Sequence, residues 1–76
     1  MKKQYKLGVI GGGFMATAIL KGVVYSDFLR AKKIIVADPS EQARQKLSEL
    51  GVYTTANNRD VAGNCEYLLL AVKPQT

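Results

Sequence analysis

The residues best suited to chemistry in this sequence are glycines. Gly11-Gly12-Gly13-Phe14-Met15-Ala16 fits the pattern G-x-G-x-x-[GA], and each small residue has a physical task. Gly11 permits a tight turn. Gly13 has no side chain, so a pyrophosphate can approach the backbone. Ala16 is small enough for a helix to pack closely on a sheet. The helix that begins here offers unsatisfied N–H groups and a partial positive charge to the phosphates. A glycine cluster also serves as a plain turn. Its position, directly after an apolar β-branched run and before an amphipathic segment, favours phosphate binding.

Two further groups complete the constellation. Asp38 closes the second apolar run, roughly 20 residues beyond the glycine turn, where a carboxylate accepts hydrogen bonds from the hydroxyls of an adenosine ribose and favours NAD. The plainer reading is that Asp38 starts a turn before Pro39. A 2′-phosphate, as in NADP, requires donors instead, and Ser40, the N–H groups of the helix it caps and Arg44 are the candidates. The third group is Ala71-Val72-Lys73-Pro74, after the last apolar run. Pro74 stops the strand, and Lys73 is either a phosphate or hydroxyl contact or an exposed strand-end lysine.

These groups need a scaffold that brings them to one edge. Leu7-Gly8-Val9-Ile10, Ile34-Ile35-Val36-Ala37 and Tyr67 to Val72 read as strands buried on both faces, as in a parallel sheet covered by helices. Phe14 to Tyr25 has helical spacing, with Met15, Ile19 and Gly22 on one stripe and Ala16, Leu20 and Val23 beside it. Ser40 caps a second helix, Glu41 suits its positive end, Ala43, Leu47 and Leu50 form its apolar face, and Gly51 closes it. Val52-Tyr53-Thr54 is a short third strand, and Asn57 or Asn58 caps one or two turns that stop near Gly63-Asn64. The order β-α-β-α-β-α-β with right-handed crossovers predicts a Rossmann-type α/β fold, a three-layer αβα arrangement with a partial parallel sheet of order 3-2-1-4. Ligands of such sheets bind beyond the carboxyl ends of the strands.

Composition excludes several classes. Hydrophobic residues make up 47% and charged residues 22%, as in a globular protein rather than a disordered one. No apolar run approaches the roughly 20 residues that span a bilayer, and glycines interrupt the stretch after Met1-Lys2-Lys3 that superficially resembles a signal peptide. The net charge of +5 is scattered, densest at Lys2-Lys3 and at Arg30, Lys32 and Lys33, without the interleaved aromatics of a nucleic-acid groove. Cys65 is the single cysteine and reads as a small apolar residue, compatible with the cytoplasm. Histidine is absent, no metal-ligand cluster stands out, and no acid–base pair is evident, so no catalytic residue is assigned. A complete dinucleotide fold needs roughly twice this length. Residues 1–76 are therefore expected to form the N-terminal part of a dinucleotide-binding domain, either as a fragment or as the start of a longer gene product.

The sequence resembles pyrroline-5-carboxylate reductase. The likeness rests on Ile10-Gly11-Gly12-Gly13, Met15-Ala16, Ala18-Ile19, Lys21-Gly22, Val36-Ala37-Asp38-Pro39-Ser40, Leu50-Gly51-Val52, Asn58 and the ending Leu70-Ala71-Val72-Lys73-Pro74-Gln75. That family reduces the C=N bond of pyrroline-5-carboxylate to give proline with NAD(P)H. The resemblance implies that Gly11, Gly12, Gly13, Phe14 and Met15 touch the cofactor phosphates, and that Asp38, Pro39 and Ser40 lie near the adenosine ribose. It places Asn58 on the adenosine half, and Ala71, Val72, Lys73 and Pro74 along the path to the nicotinamide. Phe14 stands where many members carry Asn or Gln, and Pro39 where many bacterial members carry Arg, so NADP and NAD both stay open. The resemblance further implies a helical C-terminal domain, outside this chain, that carries the substrate pocket and a dimer interface; this chain alone is expected to be inactive. Two other readings share the motif. One is an enzyme with the same opening, such as a hydroxyacid dehydrogenase of the 6-phosphogluconate type or a deazaflavin-dependent NADP reductase. The other is a non-catalytic nucleotide-sensing or late-competence-type protein.

Overall fold

The computed structural model of the chain describes residues 4–11, 14–26 and 30–71, with the backbone alone at Phe14 and Met15. Four strands form one parallel sheet: β1 (Tyr5–Ile10), β2 (Ile34–Ala37), β3 (Tyr53–Thr55) and β4 (Cys65–Leu70), in the order β3-β2-β1-β4. Two helices, α1 (Phe14–Tyr25) and α2 (Glu41–Ser48), connect the first three strands. This is the expected Rossmann-like α/β fold with strand order 3-2-1-4. Cα pairing of Ile10 with both Ala37 and Leu70, and of Ala37 with Thr55, brings the four carboxyl ends into one row.

Helix α2 forms where local chemistry demands it. The Ser40 Oγ accepts the Ala43 N–H at 3.3 Å, the acidic Glu41 opens the helix, and Leu47 is fully buried. Gly51 then takes φ +90°, and its N–H donates to the Ser48 carbonyl at 2.9 Å. Only a residue without Cβ adopts that conformation at little cost.

Both helices pack on the same face of the sheet. Val9, Ile34, Val36 and Val52 meet Ala16 and Leu20 of α1 and Leu47 of α2 in the main core. Full burial of a leucine contributes about 1.5–3 kcal/mol, so Leu20 and Leu47 anchor their helices. The row of α1 that faces the sheet is Ala16–Leu20, with Val23 and Val24 half-buried beside it. Ile19, expected within the wide apolar face, is 42% exposed, and Gly22 is exposed. Apolar residues on nearly every side of α1 leave its rotation to be set by the sheet it meets.

The opposite face carries Tyr5, Ile35 and Ala37, covered by Val61. Here the third crossover is short, as expected: a single 3-10 turn, Asn58–Asp60, continuing through hydrogen-bonded turns to Asn64. Asn57, rather than Asn58, caps it, its Oδ1 accepting the Arg59 N–H at 2.9 Å. Gly8 lies beneath this segment. A Cβ at that position would stand 2.5 Å from Val61 Cγ1 and 2.6 Å from Cys65 Sγ.

The last strand corrects one expectation. It begins at Cys65, not Tyr67, and the described strand ends at Leu70; Val72 lies outside the described residues. It is not buried on both faces, since Tyr67 is 68% exposed and Leu70 63% exposed. Among the described residues β1 is its one strand neighbour.

A candidate dinucleotide site at the carboxyl edge of the sheet

Past the strand ends the ladder runs on by one residue. The Asp38 N–H donates to the Thr55 carbonyl at 3.0 Å, the Gly11 N–H to the Ala37 carbonyl at 2.8 Å, and the Ala71 N–H to the Ile10 carbonyl at 2.8 Å. Asp38, Gly11 and Ala71 therefore stand side by side on three adjacent strands. With strands spaced about 4.8 Å apart, Asp38 and Ala71 flank the glycine turn at roughly 5 Å on either side. Chain connectivity reverses at this point: β1 leads to β2 on one side, while β4 returns on the other. Crevices of this kind take a dinucleotide, with its pyrophosphate over the first turn.

Gly11 has φ +99° and is half-buried, as the tight turn requires. Placing an L-residue in the left-handed region costs roughly 1–2 kcal/mol. Helix α1 starts at Phe14, and Ala16 is fully buried against the sheet. The third small position of the fingerprint thus has the packing role read from the sequence. Gly12 and Gly13, the side chains of Phe14 and Met15, and Val72, Lys73 and Pro74 lie outside the described residues.

The turn after β2 is held from several directions. Asp38 Oδ1 accepts the Ser40 N–H at 2.7 Å, and the carbonyl of Asp38 accepts Arg44 Nη1 at 2.7 Å. Pro39 and Ser40 are exposed above it. Asp38 therefore does begin a turn, the plainer of its two readings. Asn58 is exposed and opens the 3-10 turn beyond β3, on the Asp38 side of the row. Together the described candidates split into an Asp38–Ser40–Asn58 group and an Ala71 group, with Gly11 between.

Residues 6–76 match the model of the family described as NADP oxidoreductase, coenzyme F420-dependent. The chain belongs to that family. It is also similar to the pyrroline-5-carboxylate reductase of Haemophilus influenzae, 47% identical over 73 residues that make up 95% of this chain and 27% of the relative. The Synechocystis sp. pyrroline-5-carboxylate reductase is 41% identical over 71 residues, 92% of this chain and 27% of that protein. Among solved structures, a pyrroline-5-carboxylate reductase from Coxiella burnetii matches with a TM-score of 0.85 and 33% identity, over 95% of this chain and 27% of its own. The chain spans 27% of the length of these relatives.

The family is one of NAD(P)-dependent oxidoreductases. Among the described residues no group of three His, Cys, Asp or Glu side chains is placed to hold a metal ion, and no helix is long and apolar enough to cross a membrane. Two contributions were not legible as such in the sequence. Thr55 shapes the loop that carries Asn58: its hydroxyl donates to Asp60 Oδ2 at 2.6 Å and accepts the Asn57 N–H at 3.1 Å. Arg44 reaches back over six residues to the Asp38 carbonyl. A basic residue one turn into a helix, whose side chain leans toward the N-terminus, was the available signal. A groove of 310 Å³ bordered by Tyr5, Tyr53, Asp60 and Asn64 opens elsewhere and includes none of Gly11, Asp38, Asn58 or Ala71.

Proposed function

We propose that this chain is the cofactor-binding portion of a pyrroline-5-carboxylate reductase, which reduces 1-pyrroline-5-carboxylate to proline with NADPH or NADH. The observation that carries the reading is the row Asp38–Gly11–Ala71 at the carboxyl edge, in a chain 47% identical over nearly its whole length to a reductase of that name. In this reading Gly11, Gly12, Gly13 and the start of α1 at Phe14 and Met15 hold the pyrophosphate. Asp38, Pro39, Ser40 and Asn58 hold the adenosine half, and Ala71, Val72, Lys73 and Pro74 line the path to the nicotinamide. The cofactor supplies the hydride; the protein holds its donor carbon against the imine carbon and excludes competing reactions. Residues that hold the imine belong to a further, helical domain, which also forms the interface of a cytoplasmic homo-oligomer.

The test has two parts. Calorimetric titration of the protein with NADPH and with NADH reads the cofactor site. Consumption of NAD(P)H on addition of pyrroline-5-carboxylate, with proline identified as product, reads the activity of the full-length protein. Cofactor binding without proline formation would defeat the assignment of substrate and leave the site standing.

The family description supports a second reading, hydride exchange between NADP and the deazaflavin coenzyme F420. NADPH-dependent reduction of F420, in place of pyrroline-5-carboxylate, would select it.

A further inference from the structure

The short third crossover leaves part of the sheet open on the face away from α1 and α2. Val61 sits over Gly8 of β1, while toward β3 a groove of 310 Å³ remains, lined in part by Ile35, Tyr5, Tyr53, Thr55, Asp60 and Asn64. That volume is at the lower end of small-ligand sites, which start at about 300 Å³. The two tyrosine rings meet edge to face, with centroids 5.5 Å apart and planes at 61°. Tyr5 is buried and braces Tyr53, which is 53% exposed and keeps ring surface open to a ligand. The face of an aromatic ring carries negative potential. Asp60 adds a full negative charge in a fixed place. The Thr55 hydroxyl donates to its Oδ2 at 2.6 Å, and Asn64 Nδ2 donates to its carbonyl at 3.0 Å. Among the described residues Asp60 forms no ion pair, and no lysine or arginine lines the groove.

We propose that this groove binds a small organic cation, an alkylammonium or alkylguanidinium group, with its charge on the Asp60 carboxylate and its alkyl part against Tyr53 and Tyr5. Charge and aromatic surface select this class together. An anion is repelled by Asp60 and by the ring faces. A neutral apolar ligand strips water from a carboxylate, an amide and hydroxyls without replacing their hydrogen bonds, which is costly. A cation satisfies the carboxylate through a charge-assisted hydrogen bond and is attracted to the ring. A free amine and the side chain of a lysine or arginine in a peptide share this chemistry. The groove includes none of Gly11, Asp38, Asn58 or Ala71, so the proposal stands independently of the dinucleotide reading.

Titration of the protein with butylguanidinium, butylammonium and 1-butanol, followed through backbone amide resonances by NMR, tests the site. Both cations should shift the amides of Thr55, Asp60 and Asn64 to saturation, and butanol should not. Asp60→Asn keeps an acceptor for the Thr55 hydroxyl and removes the charge. It should weaken cation binding about fivefold, the scale of one exposed charge contact. Tyr53→Leu should weaken it about threefold and Tyr53→Phe should not, because the ring face is what attracts the cation. N-acetyl-arginine amide separates the two sources: binding tighter than that of butylguanidinium marks a peptide side chain as the ligand, and weaker binding marks a free cation. Absence of saturable shifts with either cation, equal shifts with butanol, or unchanged affinity in both Asp60→Asn and Tyr53→Leu would overturn the proposal.

Discussion

Replacing Gly8 by alanine adds a single methyl group at the most crowded point of β1. The new carbon would lie 2.5 Å from Val61 Cγ1 and 2.6 Å from Cys65 Sγ. Comfortable carbon contacts are about 3.5–4.0 Å, so each neighbour must withdraw by roughly 1 Å. Neither does so easily. Val61 is fully buried, and its β-branched side chain has little rotamer freedom. The Cys65 thiol donates to the Val61 carbonyl at 3.4 Å, so displacing either group disturbs the other. Inserting a methylene into a packed core costs about 1–3 kcal/mol. Alanine recovers about 0.4–1 kcal/mol by restricting the unfolded chain. The expected net loss is therefore about 1–2 kcal/mol. Urea denaturation followed by circular dichroism reads it as a lower midpoint at unchanged slope. Val61→Ala provides the internal control. If the overlap is the cause, Gly8→Ala should cost much less in the Val61→Ala background than alone, a coupling of about 1 kcal/mol. A Gly8→Ala protein as stable as its parent, or two substitutions that simply add, would refute the close-approach argument.

Three other outcomes are expected. Gly11→Ala places a side chain at φ +99°, and should destabilise the protein by roughly 1–2 kcal/mol and weaken dinucleotide binding measured by calorimetry; unchanged binding would remove this turn from the site. Asp38→Ser keeps a side-chain acceptor for the Ser40 N–H while removing the negative charge, and should shift the NADPH-to-NADH affinity ratio toward NADPH by about fivefold, on the order of 1 kcal/mol; a shift toward NADH would show that Asp38 faces away from the ribose. The exposed Tyr67, Leu68 and Leu70 of β4, on a strand edge unpaired among the described residues, should make this chain associate as its concentration rises. Light scattering should show less association for Leu70→Lys, and a monomer at high concentration would contradict the edge argument.

The sequence by itself determined the features whose causes are local. Ser40, Glu41, the Ala43–Leu47 spacing and Gly51 specify α2 through caps and periodicity within one segment, and that helix formed with its cap bond and its left-handed glycine in place. The glycine turn was legible for the same reason: Gly11 needs its conformation because of the turn itself, and Ala16 needs to be small because a helix follows a strand. Strand order was legible because short crossovers between parallel strands leave few topologies. Tertiary structure decided what depends on a neighbour distant in sequence. An apolar helix face does not say which of its rows meets the sheet, and the sheet buried Ala16 and Leu20 while leaving Ile19 exposed. The apolar run from Tyr67 to Leu70 records an aversion to water, but not how many of its sides are covered. Gly8 gave no local sign of its role, which arises from Val61 and Cys65, brought onto β1 by the third crossover. Arg44 likewise became part of the Asp38 turn only once α2 had formed and directed its side chain back toward β2. Local signals report what a segment can become; contacts between segments depend on distances and orientations that exist only after the chain has folded.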